Sequence, residues 1–253
     1  MQENEVITST SNTKIKETAK LQQKKYRNET GLFLLEGSKP IEEALCSGLK
    51  IKCLYTTEKH LSKFSGLNVK ITLVTPSVLE KISTTDSMPE AVAVAQQLHC
   101  NINDIKKSKR LILIENIKDA GNLGTLIRCA CAFSMEAILL CGDTVDIYNP
   151  KVVRSTVGAM FKLPIIKTSI QEAKENFSSS KFIASVVNQK DVINPEKIDY
   201  STPFVIMLGS EADGLTQEAI AAADIKTTIP ISAKTESLNL GMAGSILFYI
   251  SSR

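Results

Sequence analysis

Apolar and polar positions in this 253-residue chain fall into a repeating order. A short, nearly continuous apolar run is followed by a loop and then by a segment with helical spacing. In the first part, Asn12 or Thr13 caps a helix running to about Tyr26, with Ile15, Ala19 and Leu21 inward and lysines outward. Gly31 precedes a strand at Leu32–Leu35, and Ser38 with Pro40 opens a helix that Gly48 closes. Strands at Ile51–Tyr55, Val69–Val74 and Ala91–Ala95 then alternate with helices at Thr57–Phe64 and Pro76–Ile82. The pattern predicts a small α/β domain over residues 12–100, preceded by a polar, mobile stretch over 1–11.

Residues 101–110 (NINDIKKSKR) are polar, charged and without period, and are expected to form a linker. Beyond them, Leu111–Ile114, Ala137–Leu140, Phe182–Val187 and Phe204–Leu208 are the apolar runs expected of strands buried on both faces of a parallel sheet. Helical spacing lies between them at Leu123–Phe133, Pro150–Met160, Ile170–Asn176 and Thr216–Ala223, and again at Gly241–Ile250. Residues 111–253 thus read as a second, larger α/β domain.

Composition narrows the classes. Hydrophobic residues at 43% and charged residues at 23% suit a globular chain, and no apolar run approaches the roughly 20 residues of a membrane helix. Without a secretory leader pattern at the N-terminus, the expectation is a cytoplasmic protein with no membrane contact. The six cysteines form no C-x-x-C pair and only His60 and His99 could complete a metal site, so no metal is expected. The same scarcity of histidine weighs against a Ser-His-Asp hydrolase. Net charge is +3, and its distribution is uneven: Lys and Arg outnumber Asp and Glu by 15 to 12 in residues 1–107 and match them at 15 each thereafter. Lys14, Lys16, Lys20, Lys24, Lys25 and Arg27 stand against Glu17 alone, a cluster that serves either as a solvated helix face or as a set of phosphate contacts.

Three segments concentrate the candidate chemistry: Glu115–Phe133 (ENIKDAGNLGTLIRCACAF), Phe204–Leu215 (FVIMLGSEADGL) and Thr228–Ile250 (TIPISAKTESLNLGMAGSILFYI). Each passes through a loop bearing Gly, Asn or Ser and resumes as a helix, and in open α/β sheets such loops form the ligand crevice. There is no G-x-G-x-x-G. Gly209 and Gly214 have the spacing of a phosphate loop, but Leu215-Thr216 replaces its Lys-Ser/Thr, and Glu211 and Asp213 would repel phosphate.

These segments resemble the signature motifs of the SpoU (TrmH-type) RNA 2′-O-ribose methyltransferases, within the SPOUT superfamily. The first motif is matched by Asn122-Leu-Gly124 to Arg128, the second by Leu208 to Leu215, and the third by Ile229-Pro230 followed by Ser237-Leu238-Asn239. A further match runs from Asn149-Pro150 through Arg154-Ser155 to Gly158 and Phe161. Residues 12–100 are similar, more loosely, to the ribosomal-protein-like α/β sandwich that many members carry for RNA binding. Ala120, Ala212 and Ala233 depart from the usual pattern, each narrowing backbone freedom at a turn.

The resemblance implies a C-terminal parallel-sheet domain with a deep trefoil knot, S-adenosyl-L-methionine as cofactor, a homodimer, and RNA as substrate, with ribosomal RNA favoured over tRNA. It implies catalytic roles for Asn122, Arg128, Glu211, Ser237 and Asn239, and cofactor binding by Leu208, Gly209, Ile229, Pro230, Ile231 and Leu238. Arg128 is expected to bind phosphate and stabilise the developing alkoxide, because a guanidinium with a pKa above about 12 is a poor base. Glu211 is expected to accept from Arg128 or to anchor its loop, and Asn122 to orient Arg128 or the ribose. Lys14, Lys24, Lys25, Arg27 and Arg154 are the expected RNA contacts, with bracing of its own helix as the other reading of Arg154. Two further classes compete: a catalytically idle RNA-binding or assembly factor, and an unrelated nucleotide-binding α/β enzyme.

Overall fold

The computed structural model describes residues 6–187 and 189–253. Its first elements are α1 (Thr13–Lys20), α2 (Lys24–Thr30), β1 (Leu32–Glu36), α3 (Ser38–Cys46), β2 (Ile51–Thr56), α4 (Leu61–Phe64), β3 (Ile71–Leu73), α5 (Pro76–Ile82) and β4 (Ala91–Gln96). The strands form one sheet in the order β1-β4-β2-β3, antiparallel except for the β2–β3 pair. Ile15 and Leu21 pack with Leu34, Tyr55, Val78, Leu79, Ile82 and Val92 in its core.

The helix expected from Asn12 to Tyr26 is two helices. Asn12 caps α1 through its side chain, and the break follows Lys20, where Leu21 turns into the core. Carbonyls freed at a helix end need donors. Arg27 supplies them, its Nη1 donating to Leu21 O at 2.9 Å and to Gln22 O at 2.8 Å. The mobile stretch expected over residues 1–11 has its first five positions outside the described residues. Its later part is ordered into the sheet: Ile7 forms a parallel bridge with Val74, donating to Leu73 O at 2.9 Å.

Next come β5 (Arg110–Glu115), α6 (Ala120–Ala132), β6 (Ala137–Cys141), α7 (Pro150–Thr156), β7 (Ile165–Thr168), α8 (Ile170–Asn176), β8 (Lys181–Ser185), β9 (Phe204–Leu208), α9 (Gln217–Ala222), β10 (Ile225–Thr227) and α10 (Leu240–Ser251). Six strands form a wholly parallel sheet, β10-β8-β9-β5-β6-β7. Leu111, Leu113, Leu139, Phe182, Val205 and Met207 face one core cluster with Ala173 of α8 and Ala219 of α9. Ile112, Ile114 and Leu208 are equally buried on the other face, which explains the unbroken apolar runs. There α10 lies so close to α6 that a Cβ on Gly244 would stand 2.2 Å from Leu126 Cδ2 and 3.0 Å from Leu208 Cδ1. The small residues of α10 therefore serve an intrachain helix contact.

The chain divides into two compact units: residues up to His99 together with Asp146–Phe161, and Cys100–Val145 with Lys162–Arg253. Two sequence expectations need correction. The segment 101–110 is not a free linker, since Ile105 is 3% exposed in the core of the second unit. And α7, expected in the C-terminal domain, packs with the N-terminal sheet. Arg27 explains the second correction: its Nε lies 2.8 Å and its Nη2 2.7 Å from Asp146 Oδ2, and both side chains are almost wholly buried. Asp146 also accepts from Tyr148 N at 3.0 Å. Arg154 of α7 donates to Thr84 Oγ1 at 2.6 Å and stands 3.6 Å from Glu36, which is 7% exposed. The helix expected to run to Met160 stops at Thr156, with Val157 and Gly158 at φ 49° and 86°; a Cβ on Gly158 would lie 2.7 Å from Glu43 of α3.

Arg27 is therefore not an RNA contact, and Arg154 is a brace of the N-terminal unit. Lys14, Lys24 and Lys25 are exposed. Lys20 and Lys25 approach the Tyr26 ring at 5.4 and 5.8 Å. No helix among the described residues is long and apolar enough to cross a membrane.

Arg27→Ala leaves the Asp146 carboxylate buried without its partner and is expected to cost about 3–5 kcal/mol, read as a lower urea midpoint. Lys24→Ala should stay within about 0.5 kcal/mol of the parent, and an equal loss in both variants would contradict the buried pair. Burial pushes the Cys141 thiol and the Tyr55 hydroxyl up to about 12. Raised pKa values confer stability that is complete below the unfolded-state values, starting at about 9 for the thiol, and is lost as pH climbs toward 12. Urea midpoints should hold constant from about pH 7 to 8.5 and decline from about pH 9 upward; a flat profile to pH 11 would contradict the burial.

Candidate active site

Strand order places the candidate site. From β5 the chain moves outward to β6 and β7 on one side, whereas β9, β8 and β10 lie on the other. The reversal creates a crevice beyond the carboxyl ends of β5 and β9, where open α/β sheets bind ligands. Glu115 and Leu208 end these two strands, so the first and second motif loops begin side by side. The third starts after β10, at the sheet edge, three strand spacings of about 4.8 Å from β5. Residues 228–239 bring it back to the centre.

The three loops meet in one hydrogen-bonded chain. Asn122 Nδ2 donates to Glu211 Oε1 at 2.9 Å, and Asn239 Nδ2 donates to Asn122 Oδ1 at 3.0 Å. Asn239 Oδ1 in turn accepts from Met242 N at 3.3 Å, capping α10. Asn122 sits in the first turn of α6, where its backbone N–H donates to the cap residue Asp119 at 2.7 Å. One expected residue from each motif thus shares a single contact line.

The second loop folds tightly on itself. Ser210 and Gly214 exchange backbone bonds of 3.0 and 3.1 Å. A Cβ on Gly209 would lie 1.9 Å from Gly214 C and 2.1 Å from Leu215 N. Glycine is required here by the loop's own backbone, a reason separate from ligand access. Between this loop and the turn at Asn116, Lys118 and Asp119 lies a cavity of about 600 Å³. A larger one, about 740 Å³, opens among Lys109, Arg110, Tyr200 and Arg253 at the amino ends of β5 and β9, and none of the expected catalytic or cofactor-binding residues lines it. The smaller cavity is the better candidate because it lies at the switch point and contains Glu211.

The remaining expected residues are placed less tightly. Arg128 is exposed on α6, two-thirds of a turn around the helix from Asn122, and makes no hydrogen bond or ion pair among the described residues. Glu211 accepts from Asn122 instead of Arg128. Ser237 is exposed, and its carbonyl accepts from Thr235 Oγ1 at 3.2 Å. Leu208 is 1% exposed, so its side chain belongs to the core and only its backbone can face a ligand. Ile229 and Leu238 are half-buried, Pro230 is exposed, and Ile231 is 38% exposed, unusually open for isoleucine.

Sequence reasoning missed Asp119, Asn116 and Glu115. Asn116, at φ 55°, accepts from Asp143 N at 2.9 Å and ties the β5 loop to the β6 loop. Glu115 accepts from Thr216 and adds to the burial that raises the Cys141 thiol. Its signal was legible: a carboxylate at the end of an otherwise apolar buried strand.

Comparison with known proteins identifies the family. Residues 109–249 match the SpoU rRNA Methylase family, and residues 12–93 match the MRM3-like substrate binding domain. The chain is 27% identical to the 23S rRNA (guanosine(2553)-2′-O)-methyltransferase RlmP of Bacillus subtilis, covering 96% of this chain and 97% of that protein. It is 31% identical to an uncharacterized tRNA/rRNA methyltransferase of Synechocystis, covering 96% and 92%. The crystal structure of an AdoMet-bound rRNA methyltransferase from Sinorhizobium meliloti superposes with a TM-score of 0.87 at 30% identity, covering 98% and 97%. The chain belongs to the SpoU rRNA methylase family.

Proposed function

We infer that this protein transfers a methyl group from S-adenosylmethionine to a ribose 2′-hydroxyl of ribosomal RNA. The observation that carries the reading is the Glu211–Asn122–Asn239 chain, which joins all three motif loops at the sheet's switch point. Relatives named as rRNA 2′-O-methyltransferases, at nearly full-length coverage, support the substrate and the reaction. The AdoMet-bound relative supports the cofactor.

The residues present fit that cofactor. Ile231, 38% exposed, and half-buried Ile229 and Leu238 are apolar side chains of the third motif loop available to the flat faces of an adenine, and Gly209 and Pro230 can offer backbone groups. When bound, the cofactor supplies an electrophilic methyl group on a sulfonium. The protein's part is to orient the ribose and manage its charge. Asn122 holds the Glu211 carboxylate in place, Asn239 and Ser237 form the polar wall, and Arg128 is available to a phosphate and to the developing alkoxide. That Arg128 makes no hydrogen bond or ion pair among the described residues supports a role in which RNA is its partner.

Three further parts of the reading stand as proposals. The return of residues 228–239 from the sheet edge to its centre supports a trefoil knot of the second and third motifs. Met242 at 59% and Tyr249 at 44% exposure, seven residues apart on one face of α10, support a two-fold homodimer. The exposed lysines of α1 and α2, in the unit that matches a substrate binding domain, support a ribosomal-protein-like sandwich that holds RNA.

With methyl-labelled S-adenosylmethionine and rRNA or tRNA from cells lacking the gene, label should appear in rRNA as a 2′-O-methyl nucleoside. Label in tRNA alone would move the substrate, and binding of cofactor without label in either pool would favour an idle assembly factor. Arg128→Ala should lower kcat by roughly 10²–10³-fold with cofactor affinity unchanged, and parent-like turnover would remove Arg128 from the site. Asn122→Asp replaces the amide that donates to Glu211 with a second carboxylate. Its activity should fall by about 10²-fold; parent-like turnover would argue against the Asn122–Glu211 contact.

A further inference from the structure

We propose that Glu115 is a positioning residue for this reaction, acting through Thr216 on the loop that carries Glu211. The inference rests on the methyl-transfer reading above. Glu115 ends β5 and is only 4% exposed, directly after the apolar run Leu111–Ile114. Both its oxygens are engaged by one residue: Thr216 N donates to Oε2 and Thr216 Oγ1 donates to Oε1, each at 2.8 Å. It forms no ion pair among the described residues. A carboxylate buried without a cation is disfavoured, and leucine or isoleucine would fill the strand end without that penalty. What the carboxylate adds is a bidentate hold on a residue 101 positions along the chain.

Capping of α9 does not account for this hold. Thr216 performs that task with its own hydroxyl, which accepts from Ala219 N at 3.2 Å. The bonds from Thr216 to Glu115 instead fix the exit of the loop over residues 209–215. Its entry is fixed by Gly209 against Gly214 and Leu215, and its waist by the Ser210–Gly214 pair. Only the tip around Glu211 is left, and the tip is held by Asn122. Glu115 also leads directly into Asn116 and the turn that starts α6, the helix bearing Asn122. One strand end therefore holds both partners of the Asn122–Glu211 bond, the first through the chain and the second through Thr216.

The test compares Glu115→Gln, Thr216→Val and Thr216→Ser in the full-length protein, each alone and combined with Glu211→Ala. Misplacement by about 1 Å is enough to cost up to 10²-fold, so Glu115→Gln and Thr216→Val should lower kcat by roughly tenfold or more, with KM for S-adenosylmethionine within about twofold. Thr216→Ser keeps both donors and should retain activity. In the Glu211→Ala background the same changes should cost less than about twofold, since the group they position is gone. Equal losses in both backgrounds, tracking a lowered Tm, would reduce Glu115 to a stabilising residue and overturn the proposal. The side-chain amide resonance of Asn122 provides a readout independent of turnover. It should shift in Glu115→Gln toward its position in Glu211→Ala, and an unmoved resonance would also overturn the proposal. Absence of methyl transfer by the parent protein would refute the methyl-transfer reading instead, leaving the resonance to judge the coupling.

Discussion

The hydrogen-bond chain at the switch point has only one possible polarity, and the candidate site depends on that fact. A carboxylate without a proton only accepts, so Asn122 must turn its NH₂ group toward Glu211. A backbone N–H only donates, so Asn239 must turn its oxygen toward Met242. The Nδ2 of Asn239 and the oxygen of Asn122 are then left facing each other, and they bond. Two asparagines that are interchangeable in shape with aspartate are not interchangeable here, because either substitution sets like against like. The chain also makes the start of α10 part of the site, and α10 is seated against α6 through Gly244 and Leu126. Core packing and site geometry are therefore set by the same two helices.

Chemistry at such a site comes mostly from placement. Asn122 and Asn239 carry no net charge, and Arg128 stands apart, its guanidinium without a hydrogen bond or ion pair among the described residues. The only charged member of the hydrogen-bonded chain is Glu211, whose loop is pinned at entry, waist and exit. A ribose held against that wall is oriented before any bond changes, which is where a bimolecular transfer gains most. The N-terminal unit divides its cations along similar lines. Arg27 and Arg154 are spent on internal carboxylates, Asp146 and Glu36, whereas the lysines of α1 and α2 stay solvated. Binding of RNA by such a surface is electrostatic and falls with salt.

Much of this fold is legible in the sequence. Central strands β5, β6, β8 and β9 follow from apolar runs because they are buried on both faces. β7 and β10 leave no such signal because both are sheet edges, where Lys167 and Lys226 interrupt short runs, as is common in strands that must not pair further. Asn122, Glu211 and Asn239, one from each motif, are hydrogen-bonded to one another in the structure. The membership of α7 in the N-terminal unit was hidden because Arg27 and Asp146 lie 119 positions apart, and a buried arginine looks in sequence like one more member of a basic run. The steric demand for Gly209 is likewise hidden: nothing in the string GSEADG says that the backbone of residue 214 returns to within van der Waals distance of residue 209.

A crystal structure of the protein grown with S-adenosylmethionine would test the central claim most directly. The adenosyl group is expected against Ile229, Ile231 and Leu238, with the Glu211–Asn122–Asn239 bonds intact. Cofactor seated instead in the cavity at Lys109, Tyr200 and Arg253, or bound at the motif loops with those bonds broken, would contradict it.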